Sequence, residues 1–154
     1  MARPALRGCA GESGGVGQGG DDAVGTLLDA VDGAGVADNT IIVFTSDNGG
    51  NIYNDVEGVP PTSNAPLRGG KATMFEGGIR VPCVVVWPGV TQPGSRSDEI
   101  IQLSDFYPTL MDGLDIDLPK DWPLDGTDIM PALKGGKLGR VNTTGACPQL
   151  MRSG

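Results

Sequence analysis

The sequence predicts an α/β fold, with buried strands under a helical layer, and three observations predict it. Ile41, Ile42, Val43 and Phe44 make a short unbroken run of β-branched and aromatic residues. That is the pattern of a strand buried on both faces, as in a parallel sheet covered by helices. Val81 to Trp87 is a second such run, closed by Pro88-Gly89. Between them and the N-terminus, Ala23, Val24, Leu27, Leu28, Val31 and Ala34 recur at helical spacing and form one apolar face. A chain of 154 residues is long enough for one domain with a real core.

In chain order, residues 1–20 are Gly-rich, lack periodicity and read as disordered. Arg3 and Arg7 precede no apolar stretch, so this segment does not read as a signal peptide. Asp21 and Asp22 read as the negative start of the first helix rather than as metal ligands, and Gly33 or Gly35 ends it. Ala37 to Thr40 is a turn into the first strand. Asn51 to Asn64, with Pro60-Pro61, is a polar loop. Thr73 to Arg80 is a short irregular segment in which Glu76 and Arg80 are placed to pair and stiffen the loop before them. After the second strand, Thr91 to Ser95 is a tight turn and Asp98 to Leu103 a further extended piece. Ser104-Asp105 starts a helix with Phe106, Leu110 and Met111 inward; Pro108 is tolerated in its first turn and Gly113 stops it. Asp112, Asp115, Asp117 and Asp121 read as solvated surface rather than a second cation site. Thr127 to Leu133 is a short closing helix. Residues 138–154 form an irregular tail, with Asn142-Thr143-Thr144 fitting a glycosylation sequon.

A net charge of −8 and a pI near 4.3 exclude nucleic acid as the natural partner, since phosphate backbones call for concentrated Lys and Arg. A small anion is still compatible, because Arg68, Lys71 and Arg80 gather in one stretch against Glu76. No apolar run is long enough to span a bilayer. The chain has no histidine, which removes any Ser-His or Cys-His pair. Its 3 cysteines match no zinc or redox spacing, and Cys83 reads as a small buried hydrophobe.

The first strand ends in Thr45-Ser46-Asp47-Asn48-Gly49-Gly50. Ligand sites of open α/β sheets lie beyond the carboxyl ends of strands, and a Gly-Gly turn lets an acid and an amide swing toward one ion. Their oxygens suit a hard cation such as Ca²⁺, although Asp-Asn-Gly is equally ordinary turn chemistry. Leu67-Arg68-Gly69-Gly70-Lys71 then offers two cations around paired glycines, where backbone N–H groups can approach an anion. A metal site followed by an anion loop points to metal-assisted attack on a phosphate- or sulfate-like ester.

These segments, with Ser63-Asn64-Ala65-Pro66, Phe75-Glu76-Gly77-Gly78-Ile79-Arg80-Val81-Pro82, Trp87-Pro88-Gly89, Asp105-Phe106-Tyr107-Pro108-Thr109-Leu110 and Leu124-Asp125-Gly126, closely resemble the sulfatase family in order and spacing. The resemblance implies an alkaline-phosphatase-like mixed sheet with helices on both faces, incomplete here, with residues 21–137 forming part of the catalytic domain. It implies that Asp47 and Asn48 are Ca²⁺ ligands, that Lys71 contacts the substrate's sulfate group, and that the substrate is a small-molecule or glycan sulfate ester. The family's nucleophile opens a Cys-x-Pro-Ser-Arg motif. Cys9, Cys83 and Cys147 are followed by Ala-Gly-Glu, Val-Val-Val and Pro-Gln-Leu, so no catalytic residue is assigned and little turnover is expected of this chain alone. Two other readings stand beside it: a phosphate or phosphonate ester hydrolase of the same superfamily, and a truncated product without enzymatic activity.

Overall fold

A computed structural model describes residues 16–53, 62–118, 121–140 and 150–153. Its sheet has four strands, β1 (Ile42–Thr45), β2 (Pro82–Val86), β3 (Arg96–Ser97) and β4 (Leu150–Ser153), in the order β1-β2-β4-β3. β1 runs antiparallel to β2, with Ile42 opposite Val86 and Thr45 opposite Cys83. β2 is parallel to β4, and β4 is antiparallel to β3. The sheet is therefore mixed. Its helices are α1 (Val16–Gly33), α2 (Glu76–Ile79), α3 (Phe106–Gly113) and α4 (Met130–Leu133), with 3-10 turns at Ala37–Asn39 and Leu103–Asp105. Among the described residues no helix is long and apolar enough to cross a membrane.

The interior gathers on one face of β2. Cys83, Val85 and Trp87 alternate inward, and Ile101, Ile129, Met130, Ala132 and Leu133 pack on them, with Phe106, Leu110, Ile41, Val90 and Leu138 at the margin. Each fully buried Val, Ile or Leu contributes about 1.5–3 kcal/mol relative to exposure. α3 comes close to this face because residue 113 is glycine: a Cβ there would run into the Trp87 ring. Burial pushes the Cys83 thiol up to about 11, with the Thr45 hydroxyl pulling the other way. The reading of Cys83 as a core hydrophobe stands.

Several expectations are corrected. β1 is not buried on both faces: Val43 and Phe44 are 38% and 45% exposed. It lies at the sheet's edge, and the core forms on β2 instead. β2 itself is covered on one face, so its apolar run alternates in burial. α1 begins at Val16, which makes residues 16–20 helical and puts Asp21 and Asp22 inside the helix rather than at its start. Its apolar face is only half-covered at Val24, Leu28 and Val31, while Leu27 is exposed. The extended pairing after the second strand occurs at Arg96–Ser97, just before the stretch expected to carry it. The tail is not irregular throughout, since Leu150–Ser153 is a strand. Residues 1–15, Pro60-Pro61, the sequon and Cys147 lie outside the described residues.

One buried polar knot ties the end of this unit to its middle. The Asp105 carboxylate is fully buried and accepts from the backbone N–H of Gln102 (2.7 Å) and Thr127 (2.8 Å). The Arg140 guanidinium closes on it as a fork, Nη1 at 2.8 Å and Nη2 at 2.6 Å. Beside it, the buried Thr109 hydroxyl donates to the Asp105 carbonyl (2.6 Å) and accepts from the Ile129 N–H (2.9 Å). Asp105 stands at the N-cap of α3, as expected of a helix start, and its carboxylate closes a capping box on Gln102 at the preceding 3-10 turn. It is also half of an ion pair with Arg140, a residue expected only as part of the tail.

Candidate functional site

Two Gly-Gly loops meet at the carboxyl end of β1. The chain leaves the strand at Ser46, whose hydroxyl donates to the Asn48 carbonyl (3.0 Å) and tightens the turn. Gly49 N–H then donates to the Gly78 carbonyl (2.9 Å), and Lys71 N–H donates to the Gly50 carbonyl (3.0 Å). Gly77 N–H donates to the Arg68 carbonyl (2.8 Å), which closes the second loop on α2. Such close backbone approach needs glycine. A Cβ on Gly49 would collide with the Gly77 carbonyl, and one on Gly77 with the carbonyls of Gly69 and Arg68.

Side chains then fix the second loop. Thr73 Oγ1 accepts from Gly70 N–H (3.2 Å) and donates to the Gly70 carbonyl (2.7 Å). Arg68 lies over the Phe75 ring, 3.9 Å from its centroid, a contact that at exposed sites contributes about 0.5–1 kcal/mol. Arg80 pairs with Glu76 at 3.0 Å, the pairing expected from their spacing. Two of the three cations in this stretch are thus engaged on neighbours. Lys71 is exposed and has no ion pair with a described residue. The next residue, Ala72, holds φ at 69°, in the left-handed region, a conformation unfavourable by roughly 1 kcal/mol or more for a residue with a Cβ.

Asp47 is exposed and Asn48 half-buried. Asn48 Nδ2 donates to the Gly49 carbonyl (2.9 Å). What the structure brings together is the backbone of the loop carrying Asp47 and Asn48 and the backbone of the loop ending in Lys71. The donor chemistry of Asp47 and Asn48 fits a hard cation, but two side chains fall short of the roughly six to eight oxygens that Ca²⁺ takes. Among the described residues no group of three or more His, Cys, Asp or Glu could hold a metal. These two residues make at most one side of a cation site. Asp112, Asp115, Asp117 and Asp121 are exposed, as surface residues should be.

Sequence reasoning passed over Asn64, which it treated only as part of a motif. Its half-buried carboxamide touches both loops: Oδ1 accepts from Gly50 N–H (3.0 Å), while Nδ2 donates to the carbonyls of Gly50 (2.9 Å) and Gly69 (3.1 Å). The available signal was chemical, since only Asn and Gln offer an acceptor and two donors on one short planar group.

The family model described as Sulfatase matches residues 19–116. Rat steryl-sulfatase is 42% identical over 121 residues, which is 75% of this chain and 20% of that protein. An Escherichia coli protein described as an uncharacterized sulfatase, YdeN, is 41% identical over 119 residues, 77% of this chain and 20% of its own length. Human N-acetylgalactosamine-6-sulfatase is 36% identical over 118 residues, 77% of this chain and 22% of that enzyme. The chain therefore spans about a fifth of the length of these relatives. With the matched region running through both loops, α2 and β2, the chain belongs to the sulfatase family.

Proposed function

We propose that this chain carries the anion-binding side, and part of the cation-binding side, of a sulfate ester hydrolase. Lys71 takes the sulfate group, and Asp47 and Asn48 lend oxygens to a divalent cation, Ca²⁺. One observation carries the reading: the Lys71 N–H to Gly50 carbonyl bond of 3.0 Å, which holds the lysine loop against the loop that follows Asp47 and Asn48. When bound, such a cation polarises a sulfuryl oxygen and activates a nucleophile. The lysine's part is to bind the ester's anionic oxygens and to offset the charge that grows on them. In the full-length protein these loops would sit in an alkaline-phosphatase-like sheet covered on both faces.

This reading places the nucleophile elsewhere, because no cysteine of the chain opens a Cys-x-Pro-Ser-Arg motif. Cys83 is buried, and a thiol raised to about 11 stays protonated at neutral pH. Membership of the family supports a sulfate ester as substrate, and the names of the steryl- and N-acetylgalactosamine-6-sulfatase relatives are compatible with a small-molecule or glycan ester.

The test is calorimetric titration of the chain with inorganic sulfate, with Ca²⁺ present. Saturable binding is expected, weakened roughly tenfold or more in Lys71→Ala, the scale of one hydrogen bond to a charged group. Phosphate displacing sulfate at lower concentration would move the chain to the phosphate ester reading. Aryl-sulfate turnover by this chain, abolished in Lys71→Ala, would overturn the placement of the nucleophile elsewhere.

A further inference from the structure

We propose that Asn64 is the positioning residue of this site, a clamp that fixes Lys71 relative to the Asp47-Asn48 turn; the proposal rests on the roles just given to those residues. One carboxamide makes three hydrogen bonds, two to Gly50 and one to Gly69. Gly50 comes two positions after Asn48, and Gly69 two positions before Lys71. The Gly50 carbonyl is the shared point, accepting from Asn64 Nδ2 at 2.9 Å and from Lys71 N–H at 3.0 Å. The clamp therefore aims the same oxygen that receives the lysine's own backbone.

The surroundings admit nothing bulkier. A Cβ on Gly50 would lie 2.8 Å from Asn64 Oδ1, and one on Gly70 would lie 2.9 Å from Asn64 Nδ2. The carboxamide fits because glycines flank it on both sides. Alanine at 64 removes all three bonds. Aspartate keeps the acceptor for Gly50 N–H but cannot donate to either carbonyl. The hydrogen bonds of the Asn64 carboxamide go to backbone groups, so its effect on an anion would pass through Lys71.

The experiment follows amide hydrogen exchange by NMR in the whole chain, wild type against Asn64→Ala, together with titration by inorganic sulfate. The Lys71 amide is expected to exchange at least about tenfold faster in Asn64→Ala, while amides of the β1–β2 ladder keep their protection, and sulfate affinity falls by roughly tenfold. If Asn64→Ala does not fold, Asn64→Asp is measured and the same acceleration at Lys71 is expected. Unchanged exchange at Lys71 overturns the clamp. Faster exchange with wild-type sulfate affinity also overturns it as a positioning device, provided Lys71→Ala weakens sulfate. Equal sulfate binding by wild type and Lys71→Ala removes the anion role of Lys71, and the positioning claim falls with it.

Discussion

Replacing Asp105 with asparagine should be among the most damaging single-atom changes available in this chain. The carboxylate is fully buried and receives two backbone N–H donors and both ends of the Arg140 fork, at 2.6 to 2.8 Å. Asparagine keeps the shape but turns one acceptor oxygen into an NH₂ group. Whichever way the amide points, that NH₂ faces one backbone donor and one arm of the guanidinium. Breaking a buried pair by removing one partner costs about 3–5 kcal/mol. Arg140 is 21% exposed and can partly turn to water, which places the loss near the lower figure, about 3 kcal/mol. In a chain of this size that corresponds to a fall in Tm of roughly 6–12 °C. Urea denaturation followed by tryptophan fluorescence reads it directly, because Trp87 is buried in the core that the knot closes. Arg140→Ala should be similarly harmful, and the double variant should cost less than the sum by about 1 kcal/mol or more. Asp105→Asn within about 0.5 kcal/mol of wild type, or strict additivity in the cycle, would refute the assignment of this pair as the tie.

Three further outcomes can be checked. Gly113→Ala should lose about 1–3 kcal/mol in the same denaturation assay and shift Trp87 emission, because the new methyl meets the indole ring. Gly49→Ala should lose more than that and release the two Gly-Gly loops from each other, since the obstacle is the Gly77 carbonyl rather than a side chain that can turn aside; loss of Gly49 and Lys71 amide protection is the readout. Cys83 gives a pH signature. Its thiol is held near 11 in the fold against an ordinary value of 9.0, so the unfolded chain sheds this proton first and stability falls as pH rises through that window. The fall should be on the order of 2 kcal/mol between pH 9 and 11, and Cys83→Ala should flatten that part of the wild-type curve.

Local signals survived into the structure where the cause was local. Helical spacing marked α1 from Val24 to Val31, the apolar run at Val81 marked β2, and the four-residue offset of Glu76 and Arg80 became an ion pair. The inward set of α3 was also legible, with Phe106 and Leu110 against the core. What escaped depends on distant partners. Asp105 follows Ser104 before an apolar run and does start α3, but the ion pair it also makes needs Arg140, 35 positions later. Val43 and Phe44 have strand chemistry, but whether a strand is central or an edge is set by which neighbours flank it. Asn64 looked like loop filler because its three bonds go to backbone, which leaves no pattern in side-chain types. The side-chain roles of Asp47, Asn48 and Lys71 rest on family likeness, while the meeting of their loops is visible in backbone bonds.

The Asp105–Arg140 tie also says where this folding unit can be cut. The family match ends at residue 116, yet half of the core cluster, Ile129, Met130, Ala132 and Leu133, comes later in the chain, and so does the guanidinium that neutralises Asp105. A fragment trimmed to the homology boundary would present Cys83, Val85 and Trp87 to water beside an unneutralised acid. Such a piece is an aggregation hazard rather than a minimal domain. Expression boundaries for this chain should therefore be drawn beyond Arg140.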